Sequence, residues 1–277
     1  MKYIFNPFSV EYPIIDSPIG TFVEEACRAA TNIKNRAGSQ KIALMMSGGL
    51  ESEIMADAFY LENIEFTPAI GRLKVNVLGN DVVLNSHDIE FALEWCANKN
   101  LLPKLIDIDV FNNQQVLCEL VNSAQGFSPQ YACHMFLMKQ LTDEGYFFSA
   151  GNGEMDIVFK DDNYYMLDEQ REFTLANFVA NNKLTGEFQF WKQDGRCIAA
   201  YLQLPSVGKY ITAKEQNLLV HKHECFADAF VFKPRQKRTG FEALQEWDNI
   251  LRTQLKKYTG HYDRKYYTPI SAFKFNG

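Results

Sequence analysis

The chain has 277 residues, 47% of them hydrophobic and 22% charged, with a formal net charge of −6, which excludes a disordered or fibrous chain and leaves room for one large domain or two modest ones. No apolar run is long enough to cross a membrane, and the overall acidity argues against a protein whose main task is coating nucleic acid. The opening stretch MKYIFNPFSVEYP lacks the basic-then-apolar pattern of a secretory signal, so a cytoplasmic location is expected.

Residues 21–36, TFVEEACRAATNIKNR, predict a helix with Phe22, Val23, Ala26, Cys27, Ala30 and Ile33 on one face, broken by AGS. KIALMMS is an apolar run long enough for a strand buried on both sides and too short for an independent helix. SGGLES turns the corner, and EIMADAFYLEN reads as the next helix. FTPAIGRL predicts a second strand; SHDIEFALEWCANKN predicts a helix with Ile89, Leu93 and Cys96 on one face and Asp88 near its start. LPKLIDIDV is a third strand. SPQYACHMFLMKQLTDEG is a helix with Ser128 as N-cap and Pro129 at its first position, and YFFSAGNG is a fourth strand running into a glycine turn.

Strands alternating with helices across residues 21–153 imply an α/β fold, a twisted parallel sheet covered by helices on both faces. Such sheets bind ligands at the carboxyl ends of their strands, where the glycine turns 47–52 and 151–156 both fall. After about residue 160 the rhythm changes. FTLANFVANNKLTG and FEALQEWDNILRTQLKKY read as helices, and QDGR is either a hairpin turn or the start of a helix running to CIAAYLQL. The expected division is an N-terminal extension (1–20), an α/β domain (21–160) and a mostly helical C-terminal lobe (161–277) that selects the substrate.

Cysteines stand at positions 27, 96, 118, 133, 197 and 225, with no CxxC pair, and are expected to be buried thiols. From Val231 to Gly277 ten Lys or Arg face four Asp or Glu, so the preceding residues carry a net −12. The basic end is either a solvated face or a surface that meets phosphates.

The strongest signal is Ser47-Gly48-Gly49-Leu50-Glu51-Ser52 between a buried strand and a helix. Two glycines let the backbone approach an anion and turn its N–H groups inward at a helix N-terminus, and Ser47 and Ser52 add hydroxyls. Lysine is absent, so this is not the GxxxxGK[ST] loop that grips a γ-phosphate.

SGGxxS with a carboxylate at this junction resembles the SGGxDS signature of the PP-loop ATP pyrophosphatases, a family that includes asparagine synthetases, GMP synthetase, NAD synthetase and tRNA-thiolating enzymes. The asparagine-synthetase branch has a helix opened by Ser-Pro or Thr-Pro with a tyrosine two residues on, then a strand ending in SGEGxDE. SPQYACHMFLMKQLTDEGYFFSAGNGEMD is similar to that stretch, and KPRQKRTGF is similar to the branch's later R-x-K segment. The likeness covers roughly residues 21–160, the nucleotide-binding part, together with the basic segment.

The resemblance implies an ATP-dependent enzyme that forms AMP and pyrophosphate, with Mg2+ and a small-molecule substrate. It implies that Ser47, Gly48, Gly49 and Ser52 hold pyrophosphate and that Glu51 takes the place of a magnesium-binding aspartate. Leu44, Met46 and Ile70 would line the adenine pocket, Gly151 and Gly153 would pass close to the adenosine, and Lys237, with Arg235 or Arg238, would face the phosphates. Glu51 is one methylene longer than the family's aspartate, and Met155 stands where the family has another, leaving Glu154 or Asp156 to supply a metal carboxylate.

Lys2 stands where glutamine-dependent members carry cysteine, so release of ammonia by that route is not expected. Two other readings remain: the same chemistry on a nucleobase in tRNA or DNA, suggested by the basic C-terminal region, and nucleotide binding without catalysis. In HKHEC, His221, His223 and Cys225 on a strand would point to one side as metal ligands could, but an ordinary polar segment is the better reading. Packing is the better reading for Trp191, Tyr201, Tyr262, Tyr266 and Tyr267, with a substrate pocket as the alternative, while His87 and His134 are expected to be structural or solvent-facing.

Overall fold

In the computed structural model the described residues are 10–274, except 111, 124–128, 153–154, 170–172, 217–221, 234, 236–237, 239 and 241–264. The elements run α1 (Phe22–Ala37), β1 (Lys41–Met45), α2 (Leu50–Leu61), β2 (Thr67–Val77), β3 (Asn80–Val83), α3 (Ser86–Asn98), β4 (Lys104–Asp109), α4 (Gln114–Ser123), α5 (Pro129–Asp143), β5 (Tyr146–Ala150), β6 (Asp156–Lys160), β7 (Asn163–Glu169), α6 (Phe173–Asn181), β8 (Gly186–Glu187), α7 (Arg196–Tyr201), α8 (Pro205–Glu215) and β9 (Lys265–Pro269). No described helix is long and apolar enough to cross a membrane.

β1 lies at the centre of the main sheet, parallel to β2 on one side and β5 on the other. β4 adds in parallel to the far edge of β2, and β8 to the far edge of β5. The parallel strands therefore stand in the order β4-β2-β1-β5-β8. The chain builds outward from β1 through β2 to β4, then crosses back to start again at β5. That reversal falls between the carboxyl ends of β1 and β5, where by the general rule for doubly wound sheets a crevice opens and ligands are taken.

Side-chain alternation along β1 separates two cores. Ile42, Leu44 and Met46 pack with Phe22, Ile33, Ile54, Phe59 and Ile89 on one face, while Ala43 and Met45 pack with Met135, Met138, Phe148 and Phe178 on the other. A capping box starts α1: the Thr21 hydroxyl accepts from the Glu24 N–H at 3.3 Å, and the Glu24 carboxylate accepts from the Thr21 N–H at 2.7 Å. Its apolar face buries Phe22, Ala26, Cys27, Ala30 and Ile33, and Gly38 caps its end at φ 58°.

Three features depart from the expected elements. β2 runs on into an antiparallel hairpin with β3, turning at Leu78 and Gly79, both with positive φ (52° and 87°), as two-residue hairpin loops require. A three-stranded antiparallel sheet, β6-β7-β9, follows the main sheet, and β8 joins the main sheet from beyond residue 160. Among the described residues the C-terminal lobe is therefore mixed rather than mostly helical; the expected helix within 241–258 lies outside them. At QDGR, Gly195 adopts φ 77° and α7 begins, the second of the two alternatives.

All six cysteines are free; five are buried and Cys118 is half-buried. Burial pushes the thiols of Cys27, Cys96, Cys118, Cys133 and Cys197 up, Cys96 to about 11 and Cys133 to about 12, as befits packing groups.

A buried carboxylate joins the N-terminal segment, α1 and α7. Glu25 accepts from Arg196 at 2.7 and 2.9 Å, from Arg28 at 2.6 Å and from the Gly20 N–H at 2.9 Å. Burial alone would raise its pKa, but the Arg196 and Arg28 guanidiniums and the Gly20 N–H outweigh it and hold the carboxyl at about 2, below its ordinary 4.5. A depressed carboxylate stabilises the fold above its unfolded pKa and stops doing so as pH falls through its folded one. Glu25→Gln is thus expected to lose about 2 kcal/mol at pH 7. The gap to the parent protein should close between pH 4.5 and pH 2, read by urea unfolding across that range.

Candidate functional site

The turn between β1 and α2 sits at the mouth of the crevice. Gly48 has φ +83°, and a Cβ there would lie 1.7 Å from the Asp88 carbonyl oxygen. Only glycine fits. Gly49 is the N-cap of α2, and its carbonyl accepts the first helical bond from the Glu53 N–H at 3.2 Å.

Two serines close the turn on itself. The Ser47 hydroxyl accepts from the Gly49 N–H at 3.2 Å, the Ser52 hydroxyl donates to the Gly49 carbonyl at 2.8 Å, and the Ser47 N–H donates to Ser52 Oγ at 3.3 Å. Helix geometry leaves the N–H groups of Leu50, Glu51 and Ser52 without an intrahelical acceptor. Ser47 is exposed at the rim, Glu51 is half-buried and Ser52 is buried.

From the other side of the crevice, Gly151 follows β5. A Cβ on Gly151 would stand 3.0 Å from Ser52 Cα and 3.1 Å from both Ser52 N and the Glu51 carbonyl. The two glycine turns thus meet at the first turn of α2. The next residue, Asn152, passed unremarked in the sequence, has its Nδ2 buried with no hydrogen-bond partner among the described residues. A buried amide donor without an acceptor costs about 1–3 kcal/mol. Such a group calls for a partner, which a bound water, an ion or a ligand atom can supply.

The basic C-terminal segment reaches the same turn. Arg235 Nη1 donates to the Gly48 carbonyl at 2.9 Å, and its Nη2 pairs with Glu53 at 2.6 Å, both side chains being largely buried. Burial raises the Glu53 pKa, against the opposing pull of Arg235. The Arg238 N–H donates to Asp88 Oδ1 at 2.6 Å, and Gly240, at φ +78°, packs against Leu84 and Asn85. Asn85 itself bridges the gap on β2 between β1 and β3: it accepts from the Leu73 N–H at 2.9 Å and donates to the Gly71 carbonyl at 2.8 Å.

Of the residues singled out in the sequence, Ser47, Gly48, Gly49, Glu51, Ser52, Gly151 and Arg235 come together here. The side chains of Leu44, Met46 and Ile70 are almost wholly buried in the core beneath α2 and α3, so any contact they make with a ligand falls to their strand-end backbone. Lys237, Gly153 and Glu154 lie outside the described residues. Met155 is buried in the core, and Asp156 opens β6 close to the buried Tyr201, whose hydroxyl is raised mainly by burial, with Cys225, Tyr210 and Asp156 adding to it. No group of three His, Cys, Asp or Glu that could hold a metal ion forms among the described residues.

In HKHEC the strand on which the metal alternative would depend does not form among the described residues. Lys222–Phe226 is a 3-10 turn with Cys225 buried and Glu224 exposed, so the alternation that would aim ligands to one side is absent; His221 lies outside the described residues. Trp191 and Tyr201 are core residues packed on Phe22 at 5.6 and 5.9 Å. Tyr267 lies on the second sheet beneath Lys160, and Tyr262 falls outside the described residues. His87 and His134 are half-buried on α3 and α5.

Neither a protein-family profile nor a curated protein sequence matches the chain. Among solved structures, the chain is similar to an NH3-dependent NAD synthetase from Campylobacter jejuni (15% identity, 86% of this chain and 92% of that one, TM-score 0.34). It is also similar to the U34-tRNA thiolase NcsA from Methanococcus maripaludis (13% identity, 87% and 75%, TM-score 0.37). A third is an NMN synthetase from Francisella tularensis (11% identity, 84% and 94%, TM-score 0.34).

The two turns make opposite stability predictions. Gly48→Ala is expected to destabilise the protein by about 2 kcal/mol or more, from the left-handed φ and the contact with Asp88. Asn152→Ala removes a donor that has no acceptor among the described residues, so it should leave stability unchanged or raise it by about 1 kcal/mol. Urea midpoints of the two variants check both; an Asn152→Ala variant as damaged as Gly48→Ala would assign Asn152 to the scaffold.

Proposed function

We propose that the chain is an adenylating enzyme of the PP-loop kind, using Mg–ATP to activate a small-molecule substrate with release of pyrophosphate. The observation that carries this reading is the Ser47–Ser52 turn at the reversal of strand order, with Gly151 in contact with its helix and a buried arginine at its back. Inward N–H groups at a helix N-terminus suit an anion, and the resemblance of SGGLES to the SGGxDS signature implies that the anion is a departing diphosphate.

In this reading a carboxylate or amide oxygen of the substrate attacks the α-phosphorus, and the bond to the bridging oxygen of the β-phosphate breaks. Pyrophosphate leaves into the turn, where the N–H groups of Gly49, Leu50, Glu51 and Ser52 and the Ser47 hydroxyl stabilise the charge that builds on it. A nitrogen nucleophile then displaces AMP, as in the asparagine-synthetase branch. Glu51 is the described carboxylate at the turn that fits magnesium, which needs few protein ligands because it keeps waters and phosphate oxygens; it would neutralise the phosphate charge. Lys237 and Arg238 are the cations we assign to the phosphates, and Asn152 the donor to a ligand oxygen. The burial of Met155 favours one second reading, nucleotide binding without turnover.

Radiolabelled ATP–pyrophosphate exchange with a panel of carboxylates and amides separates the two. Adenylation predicts exchange with one of them and AMP as the nucleotide product. Ser47→Ala should weaken ATP binding about tenfold, as expected for one charge-assisted hydrogen bond, with folding intact because Ser47 is at the rim. ADP and phosphate as products would overturn the proposal, and ATP binding with no exchange on any substrate would favour the second reading.

A further inference from the structure

A peptide between two glycines is the least hindered in any chain, so the Gly48–Gly49 unit should rotate easily unless something holds it. The structure supplies such a hold. The Gly48 carbonyl accepts from Arg235 Nη1 at 2.9 Å. The guanidinium is itself fixed on three further sides: Nη2 pairs with Glu53 at 2.6 Å, Nε donates to the Lys233 carbonyl at 3.2 Å, and Cζ lies 4.5 Å from the centre of the Phe91 ring. With Arg235 and Glu53 largely buried, the pair is removed from solvent screening and from competing water.

The C=O and N–H of a trans peptide point in opposite directions, and no cis peptide occurs among the described residues. Pinning the Gly48 carbonyl toward Arg235 therefore turns the Gly49 N–H the other way, where Ser47 Oγ accepts it at 3.2 Å. We infer that Arg235, with Glu53 as its counter-ion, is a positioning residue that aims the Gly49 N–H at the anion-binding side of the turn. This rests on the phosphate reading above. It differs from a direct phosphate contact, because it acts on the turn before any ligand arrives. It also gives the C-terminal segment a task in the site: the segment brings the clamp to a turn built almost two hundred residues earlier.

The test compares Arg235→Met, Arg235→Lys, Glu53→Leu and the double variant Arg235→Met/Glu53→Leu. Each is measured for urea unfolding, for inorganic pyrophosphate and Mg–ATP affinity by calorimetry, and for the Gly49 amide signal by NMR without ligand. Arg235→Met alone should lose stability, because it leaves Glu53 buried and unpaired, whereas the apolar double variant should recover most of it. The clamp predicts that this refolded double variant still binds pyrophosphate about tenfold more weakly and has a shifted, faster-exchanging Gly49 amide. Lysine cannot serve both partners with one fork, so Arg235→Lys should fall between. A double variant with the parent's affinity and an unmoved Gly49 amide would overturn the inference. Weaker binding with an unmoved amide would also overturn it, in favour of direct phosphate contact. If the parent protein binds neither probe, the phosphate reading fails on its own, and the Gly49 amide still decides the clamp.

Discussion

The carbonyl oxygen of Asp88 occupies the space beside Gly48 in which any side chain would have to put its first carbon. That close approach of α3 to the turn organises the site. It depends on the β2–β3 hairpin carrying the chain over the end of β1, and on Asn85 holding β2 by its side-chain amide where β1 has stopped and β3 has yet to begin. The segment through Arg235, Arg238 and Gly240 then closes over α3 and the turn together.

The reversal of strand order supplies the complementary half. Because β5 starts a second outward run on the far side of β1, its carboxyl end delivers Gly151 against the first turn of α2. Two independent glycine contacts, at Gly48 and Gly151, thus hold one helix N-terminus at the mouth of one crevice. Leu44, Met46 and Ile70 lie beneath as packed core. The site has a packed core below it, and its left-handed turns fall on Gly48 and Gly240, which adopt them without steric cost; this suits a task of holding charge in fixed geometry.

Much of this was legible in the residues. The β1–turn–α2 unit is legible because Ile42–Met46 is apolar without a break and apolar residues recur through the helix after SGG, so a buried strand and a packed helix accommodate them. The helix face of α1 and strands β2, β4 and β5 followed from the same periodicities. The β2–β3 hairpin leaves a weak local signal, because its turn puts Leu78, a bulky residue that seldom takes positive φ, ahead of Gly79. The β6–β7 hairpin was missed because its turn is Asp161-Asp162, both at positive φ without a glycine to announce them. Asn152 could have been found only as an amide between two glycines, and the Arg235–Glu53 pair not at all, since a contact between residues so distant in the chain leaves no local pattern. A motif shows which backbone approaches a ligand; what holds that backbone in place is a tertiary matter.

The central claim is that a phosphate chain binds on the amides that open α2. The most direct measurement is a crystal structure of the protein with magnesium and a non-hydrolysable α,β-methylene analogue of ATP. The account predicts phosphate oxygens on the N–H groups of residues 49–52, the Ser47 hydroxyl turned toward them, and the nucleoside passing beside Gly151 and Asn152. A nucleotide seated elsewhere, with the Ser47–Ser52 hydrogen bonds undisturbed, would contradict it.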